Sequence, residues 1–153
     1  MLKIYNIKDK LEYLKEVAEL TQKEWGNQTN SIEGFNAKID RKINKIISNL
    51  NNPNYCKLIL LQDNTLVGFI SIFPHDCDER PDLSPWYATM YVKEKFRGNG
   101  YSKLLNDAIL KDAKSRGFTK IYLKTDLINY YEKFGANYIE TLKSVEKLYY
   151  FNL

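Results

Sequence analysis

The run Phe96-Arg97-Gly98-Asn99-Gly100-Tyr101-Ser102 places two glycines and an arginine between an apolar stretch and an amphipathic one. Glycines let a backbone approach a ligand closely, a helix N-terminus leaves N–H groups unpaired, and a guanidinium adds a charged donor. Those groups suit an anion such as a pyrophosphate, so the run points to a nucleotide-like cofactor at a strand-to-helix junction. Asn99-Gly100 is also a hairpin signature, but a hairpin needs alternating strand residues on both sides. Downstream the pattern is helical instead: Leu104, Leu105, Ala108, Ile109 and Ala113 share one face, and Lys114, Arg116 and Gly117 supply a cationic last turn and a stop.

The elements around this loop form an alternating series. Trp86 to Val92 is a continuous apolar and aromatic run, as expected of a central strand covered on both faces. Leu2 to Asn6 reads as a first strand, and Leu11, Leu14, Val17, Ala18 and Thr21 mark a helix running to Trp25 and ending near Gly26. Ser31 or Asn30 can cap a second helix with the stripe Phe35, Ile39, Ile43, Ile46, Ile47 and Leu50. Lys57 to Gln62 and Leu66 to Phe73 flank Asp63-Asn64-Thr65 as an antiparallel hairpin. Lys120 to Thr125 completes a right-handed βαβ unit with Trp86 to Val92, and ligands gather at the carboxyl ends of such strands. Asp126 can cap a short helix from Leu127 to Phe134 that Gly135 ends, before a closing hairpin of Asn137 to Leu142 and Val145 to Asn152.

The spacing Arg97-x-x-Gly100-x-Ser102 resembles the Arg/Gln-x-x-Gly-x-Gly/Ala motif of the GNAT superfamily of acetyl-CoA-dependent N-acetyltransferases. Further on, Tyr130-Tyr131-Glu132-Lys133-Phe134-Gly135 resembles the aromatic-Tyr-Glu-Lys-hydrophobic-Gly signature on the acceptor side of that family. The resemblance is detailed from Ser84 onward and architectural before it. It implies an α/β (in some schemes α+β) single domain over residues 1–153. A mixed, mostly antiparallel sheet of about seven strands would be flanked by about four helices, its parallel fourth and fifth strands splayed to admit a pantetheine arm.

By motif position the resemblance gives each residue a role. The backbone amides of Arg97, Gly98, Asn99, Gly100, Tyr101, Ser102 and Lys103 would hold the pyrophosphate of acetyl-CoA, the cosubstrate. The main chain of Met90, Tyr91 and Val92 would pair with pantetheine like an added strand. Tyr131 falls on the family tyrosine that protonates the departing thiolate after a primary amine attacks the thioester. A phenol and a thiol titrate within about two units of each other, which makes that transfer reasonable in energy. With no cysteine or serine in a nucleophile motif, direct attack rather than an acetyl-enzyme is expected.

The sequence departs from the family pattern at three places. Ser102 stands where Gly or Ala is usual, and Ala136 follows Gly135 where Phe is common. The strand Trp86 to Val92 carries no Glu or Asp to take a proton from the substrate ammonium, which leaves the general base unassigned. The loop His75-Asp76-Cys77-Asp78-Glu79-Arg80-Pro81-Asp82 could attract a cationic acceptor or could be a solvated loop, and His75 is a further candidate base. Asp82, Trp86 and Trp25 are candidate acceptor-side residues, with Glu24 beside Trp25; for both tryptophans a packing role is the alternative.

Composition narrows the classes. A 153-residue chain that is 44% hydrophobic suits one domain with a sizeable core. The sequence shows no membrane span and no signal-peptide core at its N-terminus, so a cytoplasmic protein is expected. Cys56 and Cys77 make no metal or redox pair, and neither a disulfide nor a metal is expected. A net charge of +4 favours an anionic cofactor without demanding nucleic acid, and neither nucleic acid nor membrane is an expected partner. Two other classes stay open: a CoA-binding sensor without catalysis, and a nucleic-acid binder. The acceptor, a small-molecule or peptide amine, is not specified, and a homodimer through the C-terminal hairpin is an open alternative to Tyr149, Tyr150 and Phe151 facing inward.

Overall fold

A computed structural model of the protein describes all residues except Gln28 and Asn30. Seven strands, β1 (Leu2–Asn6), β2 (Cys56–Gln62), β3 (Thr65–Phe73), β4 (Trp86–Val92), β5 (Lys120–Thr125), β6 (Asn137–Thr141) and β7 (Lys147–Asn152), form one sheet in the order β1-β2-β3-β4-β5-β7-β6. Every neighbouring pair is antiparallel except β4 and β5, which run parallel. The helices are α1 (Leu14–Trp25), α2 (Ile32–Asn49) and α3 (Tyr101–Ser115).

Side chains on a strand alternate between faces, so a strand covered on both sides is apolar at nearly every position. In β2, Leu58 and Leu60 pack with Leu105, Ile109 and Ala113 of α3, while Ile59 and Leu61 pack with Leu14 and Val17 of α1 and Ile46 of α2. The helices therefore sandwich the sheet. Gly68 lets β3 and β4 approach, because a Cβ there would sit 2.3 Å from the Tyr91 carbonyl oxygen.

The strand expectations hold with small shifts, and the helical ones hold for three helices. Ser31 caps α2, its hydroxyl accepting from the Gly34 N–H at 2.9 Å; the alternative cap, Asn30, lies outside the described residues. The expected helix over 127–134 does not form. The hydroxyl of Thr125, not the Asp126 carboxylate, accepts the Leu127 N–H at 3.0 Å, and only Tyr131–Phe134 closes into a 3₁₀ turn, ended by Gly135 at φ +95°. Ile47 of α2 and Leu104 of α3 point outward rather than into the buried stripes, and Leu11 lies in a 3₁₀ turn ahead of α1. The last strand begins at Lys147, because Val145 sits at φ +68° in a turn whose Lys143 and Ser144 amides donate to Glu79. Tyr149 and Phe151 face the core, and Cys56 and Cys77 are buried, unpaired thiols. No helix among the described residues is long and apolar enough to cross a membrane.

Candidate active site

The parallel pair is where the sheet opens. β4 and β5 share one register pair, Trp86 with Tyr122, held by the Tyr122 N–H donating to the Pro85 carbonyl at 3.0 Å. Beyond Trp86 the strands diverge, leaving the β5-facing edge of β4 without a strand partner. Two cavities lie along this opening. They share Glu24, Met90 and Leu127, so one runs into the other.

The smaller cavity, about 380 Å³, is floored by Met90, Tyr91 and Val92 and walled by Arg97, Gly98, Gly100, Tyr101 and Ser102. Gly98 and Gly100 have φ of +83° and +77°, backbone states that L-residues with side chains rarely adopt, while a Cβ at either would meet nothing within 4 Å. The requirement for glycine here is thus conformational rather than steric. Gly100 has no side chain with which to cap α3, and the first backbone bond of the helix is Leu104 N–H to the Gly100 carbonyl. The expected amide of Arg97 is not among the free ones, since it donates to the Glu94 carbonyl at 3.2 Å; among the described residues, the amides of Gly98 through Lys103 donate to no protein acceptor. They remain free for an anion at the positive end of the helix. The loop is braced from behind. Arg97 donates through Nε to the Val92 carbonyl at 2.8 Å and lies over the Tyr91 ring, and the Asn99 amide donates to the Phe96 carbonyl at 2.9 Å. Lys103 pairs with Asp107 one turn along α3, which leaves its backbone rather than its ammonium facing the loop.

The larger cavity, about 570 Å³, is lined by Thr89 and Met90 of β4, by Tyr131, and by four carboxylates from separate elements: Glu24, Asp76, Asp126 and Glu146. Tyr131 packs edge-on against Tyr87 and Tyr130 at centroid distances of 5.6 and 4.8 Å. Tyr87 spends its own hydroxyl on the Asn106 side chain at 2.9 Å, whereas the Tyr131 hydroxyl finds no protein partner among the described residues and opens on the cavity. Burial, with a smaller push from Tyr130, raises the Tyr131 phenol to about 12, so it holds its proton throughout the neutral range.

Asp76 is the one member of the acidic loop that reaches this cavity. Burial raises its carboxyl to about 6; Lys124 pulls it back down and Glu146 pushes it further up. The rest of that loop does other work. Glu79 holds the β6–β7 turn, Arg80 bridges Asp82 and Glu140, and His75 is exposed and lines neither cavity. Asp82 is accordingly tied into a surface ion pair, a correction to its reading as an acceptor-side group. Trp86 is corrected too: its indole is fully buried, donates to the Leu83 carbonyl at 2.8 Å and lines neither cavity. Trp25, about half exposed, does line the larger cavity with Glu24, its ring edge-on to Tyr91 at 6.2 Å. Glu146 and Thr89 were invisible as site residues, one lying in a polar turn and the other in an apolar strand.

The acetyltransferase (GNAT) family profile matches residues 14–136. No curated protein sequence matches the chain. Among solved structures it is similar over its whole length to the PaiA N-acetyltransferase of Thermoplasma acidophilum in complex with coenzyme A. That pair shows 22% identity and a TM-score of 0.67, covering 100% of this chain and 99% of that one. An N-acetyltransferase of Staphylococcus aureus Mu50 gives 16% identity and a TM-score of 0.74 over 99% of this chain and 98% of the other. An aminoglycoside 6′-N-acetyltransferase complexed with coenzyme A gives 18% and 0.73 over 98% and 96%. With the profile running from the start of α1 past the Tyr131–Phe134 turn, and so over the whole amide loop, this chain belongs to the acetyltransferase (GNAT) family.

Proposed function

We propose that the protein moves an acetyl group from acetyl-CoA to a primary amine by direct attack. In this reading Gly98 through Lys103 hold the diphosphate, the free edge of β4 from Met90 to Val92 pairs with the pantetheine amides, and the larger cavity takes the amine. The observation that carries it is the junction of the two cavities at Met90, with a ring of unpaired amides on one side and the free hydroxyl of Tyr131 on the other. An amine acceptor also agrees with a fold neighbour that is an aminoglycoside 6′-N-acetyltransferase.

Tyr131 is the residue nearest in role to the departing sulfur. A phenol held at about 12 is a weak acid toward a thiolate, so full proton transfer in isolation is uphill. The step balances when the two ends move together. Tyr131 gives its hydroxyl proton to sulfur as the C–S bond breaks, and regains the proton that the new amide nitrogen sheds. Most of the rate would come from holding thioester and amine in register and from the hydrogen bond to sulfur.

Calorimetric titration with acetyl-CoA and thiol release against a panel of amines test the reading. Binding without release for any amine would favour a CoA sensor, and no binding would end the proposal. Gly100→Ala is expected to weaken acetyl-CoA binding and to cost about 1–2 kcal/mol of stability, because only the left-handed backbone aims the amides at the ligand. A melt with and without acetyl-CoA separates the two effects.

Asp76 supplies a second prediction. A carboxyl raised to about 6 is partly neutral below that pH, and only its ionised form attracts an ammonium. Acceptor KM is therefore expected to fall as pH rises through about 6, and Asp76→Asn should abolish that fall while raising KM several-fold at pH 8. An unchanged pH dependence in the variant would remove Asp76 from the docking role.

A further inference from the structure

Lys57 is 3% exposed, yet it is the second residue of β2, just past the last residue paired with β1. Its ammonium nitrogen lies 2.6 Å from Ser71 Oγ and 3.4 Å from Thr89 Oγ1, and the two hydroxyl oxygens are 2.6 Å apart. The rings of Phe69 and Phe73 lie 5.3 and 5.6 Å from the same nitrogen. Among the described residues no carboxylate pairs with it. A buried lysine is ordinarily retained next to a counter-ion; this one ends on two hydroxyls, the second belonging to Thr89, a residue that lines the larger cavity.

The register explains the placement. Lys57 of β2 is directly opposite Ser71 of β3, which is opposite Ala88 of β4. Between that pair and Phe69–Tyr91, β4 carries one more residue than β3, and the resulting bulge holds Thr89 at φ +50°. Bulges re-aim side chains. This one brings the Thr89 hydroxyl onto Ser71, and Thr89 itself lines the larger cavity, beyond the point where β4 leaves β5.

We propose that Thr89, Ser71 and Lys57 form a proton relay that draws a proton from the acceptor ammonium and stores it on the lysine inside the sheet. The proposal rests on the acetyl-transfer reading of the cavity. The N–H bond of the ammonium breaks as its proton joins Thr89 Oγ1. Thr89 passes its own hydroxyl proton to Ser71, and Ser71 passes its own to the lone pair of Lys57 Nζ. The amine keeps the electron pair for attack, each hydroxyl ends with one hydrogen, and Lys57 becomes an ammonium. After the product leaves, the same steps in reverse return the proton to water in the cavity. Asp76 is poorly suited to this task, because an ammonium docked against it lowers its basicity. Burial pushes the Lys57 amine down to about 7, the Cys56 thiol acting upward and Lys42 of α2 downward, so a neutral acceptor is present at working pH.

The test pairs a readout that needs no turnover with one that does. In the free protein the Lys57 Cε resonance, followed by NMR against pH, is expected to titrate near 7, and exchange of its amine protons with water is expected to slow at least tenfold in Thr89→Val. With acetyl-CoA and spermidine, benzylamine and kanamycin as probe amines, kcat/KM should rise with pH through an inflection near 7. Thr89→Val and Lys57→Met should flatten that rise and lower kcat/KM at pH 8 by about 10²-fold, with Thr89→Ser restoring the inflection. Melting curves confirm folding of each variant. Thiol release from the wild type with none of the amines would overturn acetyl transfer and the relay together. With turnover present, a Lys57 that titrates near its ordinary value, or a Thr89→Val profile that keeps the inflection, overturns the relay alone.

Discussion

Tyr131→Phe is expected to lower kcat by about 10²- to 10³-fold while leaving the Kd for acetyl-CoA unchanged within about twofold. The variant removes one atom. The ring that packs against Tyr87, Tyr130 and Phe134 stays, and the amides of Gly98 through Lys103 are untouched. Because the Tyr131 hydroxyl has no protein partner among the described residues, its loss leaves no orphaned donor behind, and stability should change little. A hydrogen bond made to sulfur only as negative charge develops affects turnover and not ground-state binding. Rapid-quench measurement of the acetyl-transfer step, beside calorimetry with acetyl-CoA, checks both halves. Equal losses in affinity and rate would mean that the hydroxyl holds the cofactor instead, and an unchanged kcat would remove Tyr131 from the chemistry.

Much of this site was legible because its parts are local. The amide loop is set by Gly98 and Gly100, whose conformation is a property of the residue type, and by the helix period that follows them. β1, β4 and β5 fall on the residues expected, because an apolar run bounded by turn formers has few alternatives. The remainder depends on pairing between distant segments. Lys57 is legible only as the first residue of a hairpin strand until the register sets it opposite Ser71, and nothing in Trp86-Tyr87-Ala88-Thr89-Met90-Tyr91-Val92 announces a bulge. The same limit explains the missing helix after Asp126. The sequence offers a cap and a period, yet Asn129 turns to φ +56°, a left-handed state that an α-helix does not pass through, and only Tyr131–Phe134 closes into a turn. Among the acidic-loop residues, composition could mark a group of carboxylates but not which of them the fold would turn inward.

The second large effect is on stability, and its sign is the unusual part. Lys57→Met is expected to stabilise the protein by a few kcal/mol at pH 6, although it removes a buried, hydrogen-bonded residue of the sheet. A lysine whose amine titrates near 7 when folded and near 10.5 when unfolded holds fewer protons folded than unfolded across that interval. Unfolding therefore takes up a proton there, and the stability of the wild type rises with pH between those values. Below about 7 the destabilisation is complete, because the buried amine must be charged; above about 10.5 it is gone. Methionine has similar length, needs no hydrogen bond, and can place sulfur beside the Phe69 and Phe73 rings. The hydroxyls of Ser71 and Thr89 both lose the lysine, but keep each other as partners at 2.6 Å. Urea titrations of both proteins at pH 6 and pH 10 give the comparison. The variant should be the more stable at pH 6, and the difference should shrink toward pH 10. Retaining such a lysine makes physical sense where its proton affinity is used, since function keeps residues that stability would discard. A variant less stable than the wild type at pH 6 would show that the ammonium is well accommodated in the core, and a charged Lys57 could not accept the proton that acetyl transfer must remove.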